Sequence, residues 1–394
     1  MLAAFKSFTQ SISNSIFDLM LPARLNNRLR GQFEIDEHES EDYCYECRVT
    51  HVIDEEEDTV KASLQSYTFF KRPAPWAEMN EDTKFVFFAL GNGESARALF
   101  NGIRLNGRFN ELGNNICFIV SDYRDANRSE GKLTDTQQLA EDLIFQVKAI
   151  LGEHAEEIGL KPDRITLWGH SFGGAVALEA AAKLHREDIP IRVRVVNSCS
   201  FDEIYHVPLA ALYERTPIVP LAVASSVVVS TCAVAASPSL AVSAVPSAIA
   251  ASAISHEITN GMFALNAIKA WHAIPDEYKL CFYAEGDQVI LPSASLYHRL
   301  EKEGDSCPNR FLVYEKNHIG QSGIPTKQDV LLDSSLSFEP FQRPIDVHNM
   351  PPERLYIVDR NNQPRSIVSV AAEFMSTNLE WVVLPEPERN GLTM

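Results

Sequence analysis

The chain has 394 residues, enough for one large core with appendages and too few for three ordinary domains. Its 53 acidic and 35 basic residues leave a formal net charge of −18. Such a surface repels phosphate backbones and anionic headgroups alike, so nucleic acid is excluded as a partner and any membrane contact has to be hydrophobic.

In chain order, Leu2, Phe5, Phe8, Ile12, Ile16 and Met20 make a helical stripe expected to pack on the body; no signal peptide is evident. With the acidic link that follows, this makes residues 1–42 an N-terminal appendage. Residues 43–53 and 59–70 flank an acidic run and read as an antiparallel hairpin. The run 84–90 is solidly apolar, as in a strand buried on both faces, and stops at Gly91-Asn92-Gly93. A helical pattern occupies 94–112 and a second buried strand 115–121. Thr134 to Gln137 is a capping box opening a helix with Leu139, Leu143, Val147 and Ile150 on one face. Further strands are expected before Ser171, at 191–196, at 278–284 and at 311–314. Strands alternating with helices predict an α/β fold, a mainly parallel sheet with the hairpin as its antiparallel edge.

Two regions break the alternation. Residues 201–277 carry no strand signal, and 216–255 contain no Asp, Glu, Lys, Arg or His. Rich in Ala, Val and Ser, this stretch is too weakly apolar for a membrane span and reads as a helical cap or lid insertion. Its part 217–254 is expected to meet an apolar acyl group or a lipid surface. Residues 323–394 form a C-terminal extension, proline-rich, with one helical stretch near 366–375 and a disordered tail. The core is thus 43–200 with 278–322.

Seven cysteines, an odd number, are scattered from 44 to 307, and the lone C-x-x-C at Cys44 and Cys47 has no second pair. Neither a disulfide framework nor a zinc site is indicated. The chemistry centres on Gly169-His170-Ser171-Phe172-Gly173, a G-x-S-x-G turn between an apolar strand and an alanine-rich helix. The turn is sharp, so positions 169 and 173 need glycine. It would present the Ser171 hydroxyl as nucleophile, with the amide of Phe172 as one oxyanion donor. The amide of Asn92, in the glycine loop after the first buried strand, is the expected second donor.

A serine hydroxyl needs a base, and the base an orienting acid. Asp287 stands just past the strand at 278–284, and His318 lies in the loop after the strand at 311–314. Both would reach the sheet edge that carries Ser171. Asp202 is the rival acid, and Glu285 faces the wrong way in a regular strand. His272, His298 and His348 are set aside because no expected strand ends beside them, and His170 reads as packing next to the nucleophile.

These residues resemble the α/β-hydrolase superfamily of serine esterases and lipases, over about residues 43–320. The resemblance implies two-step acyl transfer through an acyl-enzyme on Ser171, with Asp287 and His318 completing a triad and no metal or organic cofactor. A loop over 121–131 also resembles one common in the family, which usually has glycines where Asp125 and Asn127 stand. The cap and tail are similar to SidB-like lipase-type effectors of intracellular bacterial pathogens. That likeness implies delivery into a host cell by a route without a signal peptide; the other expected location is the cytoplasm, with or without membrane association. The expected activity is hydrolysis of a carboxylic ester with a lipid-like acyl group. The rivals are a thioesterase or peptidase on the same residues, and a non-catalytic protein of this fold that binds lipid or a partner.

Overall fold

The apolar runs assemble into one sheet of eleven strands in the computed structural model. It describes residues 44–53, 57–70, 80–203 apart from a few loop positions, 206, 265–315 apart from 285, 348, 351–358 and 363–376. The strands are β1 (Cys44–Ile53), β2 (Glu57–Phe70), β3 (Lys84–Ala89), β4 (Ile116–Ser121), β5 (Glu130–Gly131) and β6 (Ile165–His170). After them come β7 (Arg194–Ser198), β8 (Lys279–Ala284), β9 (Arg310–Glu315), β10 (Leu355–Val358) and β11 (Pro364–Ser366). Their order is β1-β2-β4-β3-β6-β7-β8-β9-β10-β11, with β5 paired to β2.

From β4 to β9 every neighbouring pair is parallel. The hairpin β1–β2 adds antiparallel strands at one edge, as the sequence predicts. At the other edge β10 runs antiparallel to β9, and β11 to β10. This second antiparallel edge is not expected from sequence. Its strands are only four and three residues long and lie among prolines, too short for an alternation to show.

Alternate residues of each central strand serve opposite faces, because strand side chains alternate with period two. Phe85, Phe87, Ile165 and Leu167 face one layer, formed by α2 (Gln137–His154), α3 (Phe172–His185), α4 (Ala267–Ala273) and α5 (Leu296–Glu303). Val86, Phe88, Trp168, Leu280 and Phe282 face the other, formed by α1 (Ala96–Asn106) and α6 (Ile367–Ser376). Helix α3 is apolar almost all round, with eleven of its residues buried, as expected of a helix enclosed between sheet and neighbouring helices.

The helical pattern expected over 94–112 breaks into α1 and a short 3-10 turn at Asn110–Leu112. The break occurs at Phe109, whose φ of 61° drops its ring between Phe88 and Trp168, 4.8 and 5.0 Å away. Of the capping box, Thr134 lies outside the described residues. At the start of α2 it is Asp135 Oδ1 that accepts the amide of Gln138, at 3.2 Å.

The boundaries expected for the appendages meet the structure unevenly. Helix α4 falls at the end of the expected insertion, yet Ala267, Ile268, Ala270 and Trp271 are buried in the core. Likewise β10 and α6 fall in the expected C-terminal extension, yet Leu355, Ile357, Ile367, Val370 and Phe374 close the second core layer. The stripe at 2–20, the insertion 217–254 and the tail after 376 lie outside the described residues.

The loop after β4 resolves the departure at Asp125 and Asn127. Both adopt left-handed backbone, φ 60° and 51°, the conformation glycine takes with least cost and Asn or Asp tolerates best among the rest. Asn127 also earns its place through its amide, which donates to Asp122 Oδ1 at 2.6 Å, while the same oxygen accepts the Ala96 amide at 2.8 Å and caps α1. Next to them Arg124 forms a bidentate pair with Asp142 on α2, both side chains 4 % exposed. Removing one partner of a buried pair strands the other. Arg124→Met is therefore expected to cost about 3–5 kcal/mol in a urea melt, and Arg124→Met with Asp142→Leu to recover most of it. A single variant as stable as wild type contradicts this.

Candidate active site

The strand order reverses between β4-β3 and β3-β6, since the chain passes from β3 outward to β4 and later returns to β6 on the other side. Open α/β sheets bind ligands in the crevice at such a point, beyond the carboxyl ends of the strands. The loop after β3 and the turn after β6 both emerge there, with Ala89 paired to Gly169 at the strand ends.

Ser171 forms the turn between β6 and α3 with φ 53° and ψ −121°, a strained conformation for a residue with a side chain. Its amide donates to the Ser198 carbonyl of β7 at 2.8 Å, and its carbonyl accepts from Gly174 at 3.0 Å, so both neighbours hold the strain. A Cβ on Gly169 would lie 2.1 Å from the Gly173 carbonyl oxygen, and one on Gly173 would lie 2.0 Å from that of Ala89. The two glycines let helix start, turn and adjacent strand close on one another. Phe172 opens α3, where the first amides have no intrahelical acceptor. Its ring meets Tyr123 edge-on at 6.0 Å and Phe201 at 6.4 Å, and Phe172 and Phe201 are both buried in the core.

Across the crevice, the Gly91 amide donates to Glu94 Oε2 at 2.6 Å and the Glu94 amide to the Gly91 carbonyl, closing a turn over 91–94. Asn92, the expected second oxyanion donor, lies outside the described residues, as does Gly93. Tyr123 braces the same loop, its hydroxyl donating to the Leu90 carbonyl at 2.8 Å. Burial, and then the nearby Glu94 charge, push its pKa well above the usual tyrosine value, so it remains a donor.

Asp287 follows β8, one residue after Gly286, which turns at φ 82°. Its carboxylate is fully enclosed. Oδ1 accepts the amides of Val289 and Ile290, each at 2.8 Å, and Oδ2 accepts from Nδ1 of His348, also at 2.8 Å. The sequence reading gives this carboxylate to His318. That residue lies outside the described part of the chain, and the imidazole found on Asp287 is His348, which the sequence reading sets aside. The reason is topological. The connection from β9 to β10 runs from residue 316 to 354, so both histidines belong to it. Without β10, no expected strand stands beside His348 in the sequence. The Pro351-Pro352 pair ahead of the Leu355–Val358 run was the available sign of a strand beginning there.

Asp202, the rival acid, is buried and has a histidine of its own, since Nδ1 of His206 lies 2.8 and 2.9 Å from its two oxygens. Burial raises its pKa, and the His206 bond pulls the other way. The remaining set-aside histidines have structural partners: His298 bonds Ser295 at the start of α5, and His272 bonds Glu303. What separates His348 from His206 is its neighbour. The His348 ring centroid is 4.9 Å from that of His170, the residue immediately before Ser171.

His170 is held neutral. Burial foremost, then the His348 charge, lower its pKa from 6.5 to about 4, against opposing pulls from Glu94, Asp287 and a bond to the His348 backbone. Between those values the unfolded chain binds the extra proton and the folded chain does not. The contribution is fully present above pH 6.5 and is lost as the pH falls towards 4, by up to about 1.4 kcal/mol per pH unit. Urea melts between pH 7 and 4 measure that slope, which His170→Gln should reduce; an unchanged slope contradicts the assignment.

Together these elements bring a strained serine, a buried Asp–His pair and the end of a glycine loop to one crevice in a parallel sheet. The sequence matches the alpha/beta hydrolase family over residues 85–321, more than half of the chain. The chain belongs to that family. Among solved structures, it is similar to an esterase of Pyrococcus furiosus at 15% identity and a TM-score of 0.39, covering 77% of this chain and 94% of the other. An alpha-beta hydrolase from Vibrio vulnificus matches at 14% identity and a TM-score of 0.39, covering 69% and 74%. A putative carboxylesterase from Lactobacillus plantarum matches at 11% identity with the same score, covering 69% and 86%. No curated protein matches. The likeness to SidB-like effectors is not shown by these comparisons. Among the described residues no helix is long and apolar enough to cross a membrane.

Proposed function

We propose that this protein is a serine hydrolase that cleaves carboxylic esters through an acyl-enzyme on Ser171, with His348 as the base and Asp287 as the acid that orients it. The observation that carries the reading is the buried 2.8 Å bond from His348 Nδ1 to Asp287, on an imidazole that packs at a tilt against the residue next to the nucleophile. With Nδ1 committed to the carboxylate, Nε2 is the nitrogen left to take a proton. Ser171 Oγ adds to the ester carbonyl carbon as its proton passes to Nε2, and the carbonyl oxygen becomes an oxyanion held by main-chain amides, that of Phe172 and that of Asn92. Collapse breaks the bond to the alkoxy group, which leaves as an alcohol with the Nε2 proton. Water, deprotonated at Nε2, then attacks the acyl-enzyme, and release of the carboxylic acid restores the serine.

The proposed acyl group is apolar and lipid-like, because the uncharged stretch 217–254 is proposed to meet it or a lipid surface. A fluorophosphonate probe tests the assignment: wild type should take the label and Ser171→Ala should not. A p-nitrophenyl ester series of increasing chain length then ranks acyl groups. Labelling without turnover of any ester would move the substrate to thioesters or peptides, and failure of wild type to label would leave a binding protein.

A further inference from the structure

The proposed mechanism makes no use of His170, yet this side chain meets both β7 and His348. Its Nδ1 lies 3.2 Å from Ser198 Oγ on β7. A ring N–H also bonds the backbone of His348. Its ring packs against the His348 ring at 4.9 Å between centroids, the planes tilted by 43°. A neutral imidazole suits these partners, because it has one donor for a carbonyl and one acceptor for a hydroxyl. Glu94, Asp287 and His348 are the charged or titratable groups that face it.

One hydrogen bond to Asp287 fixes a single atom of the His348 imidazole and leaves the ring free to swing about that bond. A tilted ring-to-ring contact at 4.9 Å resists the swing, and a bond to the backbone of the same residue holds its main chain. We propose that His170 is a positioning residue, a clamp that holds His348 in place and sets the tilt of its imidazole for proton transfer from Ser171. This rests on His348 being the base. A displacement of about 1 Å in a reacting group can cost about a hundredfold in rate. The clamp's effect therefore belongs in kcat, with substrate binding little changed.

The test uses His170→Ala, His170→Phe and His170→Gln in the full chain, reading the fluorophosphonate labelling rate, kcat and KM for a p-nitrophenyl ester, and the melting temperature. Removing the side chain should lower labelling and kcat by about 10- to 100-fold with KM within about threefold. Glutamine, which offers both a donor and an acceptor, should restore most of the rate; phenylalanine, which keeps a ring without a donor, should fall between. A folded His170→Ala with wild-type labelling and kcat overturns the clamp. So does a loss in all three variants that only follows their melting temperatures. Should His170→Ala fail to fold, the comparison of Gln with Phe decides, and equal rates for those two overturn it. A wild-type chain that takes no label is a different result, which removes the hydrolase reading and this inference with it.

Discussion

Replacing His348 with asparagine is expected to lower kcat/KM for an ester substrate by about four orders of magnitude or more, while His318→Asn stays within a few-fold of wild type. The buried carboxylate of Asp287 has both oxygens engaged, Oδ1 by two amides and Oδ2 by His348. No second imidazole can reach Oδ2 on the same line without displacing the first. Asparagine at 348 keeps a donor for Asp287 but has no nitrogen that can accept a proton, so the loss should fall on turnover more than on folding. Steady-state kinetics with matched melting curves measure both. The reverse outcome, an inert His318→Asn and an active His348→Asn, would return the base to the residue that spacing alone selects.

The second large effect concerns Gly173. An alanine there would put its Cβ 2.0 Å from the Ala89 carbonyl oxygen and 2.6 Å from that of Leu90, both main-chain atoms that no rotamer change can move. Strand β3 and helix α3 would have to part at the switch point. Gly173→Ala is expected to cost at least about 3–5 kcal/mol or to abolish soluble expression, with loss of fluorophosphonate labelling in whatever folds. Gly152→Ala in α2 is the matched contrast. Nothing lies within 4 Å of its Cβ position, so alanine should stabilise the helix by about 0.5–1 kcal/mol. Urea melts of the two variants should therefore move in opposite directions, and a Gly173→Ala melt like that of wild type would remove the close approach from the account of the turn.

The sequence carried the serine turn because its requirements are local. Strand, glycines and alanine-rich helix lie within one short segment, and the steric reason for each glycine acts within that segment or on the strand beside it. The buried strands were legible for a related reason: burial on both faces leaves a continuous apolar run, as at Phe85–Leu90 and Ile116–Val120. Asp287 could be placed because it directly follows such a run.

The histidine could not be chosen that way. Which imidazole of the 316–354 connection meets Asp287 depends on how a long segment returns to the sheet, and that return is fixed by β10 pairing with β9, and by α6 covering the far face. Those contacts join residues distant in sequence and leave little trace in local pattern. The amino-acid order by itself determined a parallel sheet, the strained Ser171 turn and the place of Asp287 beyond β8, since each is written in neighbouring residues. Only the tertiary structure decided that His348 stands on that acid with His170 against its face, and that the C-terminal strands and helix belong to the core, because those choices follow from packing between segments far apart along the chain.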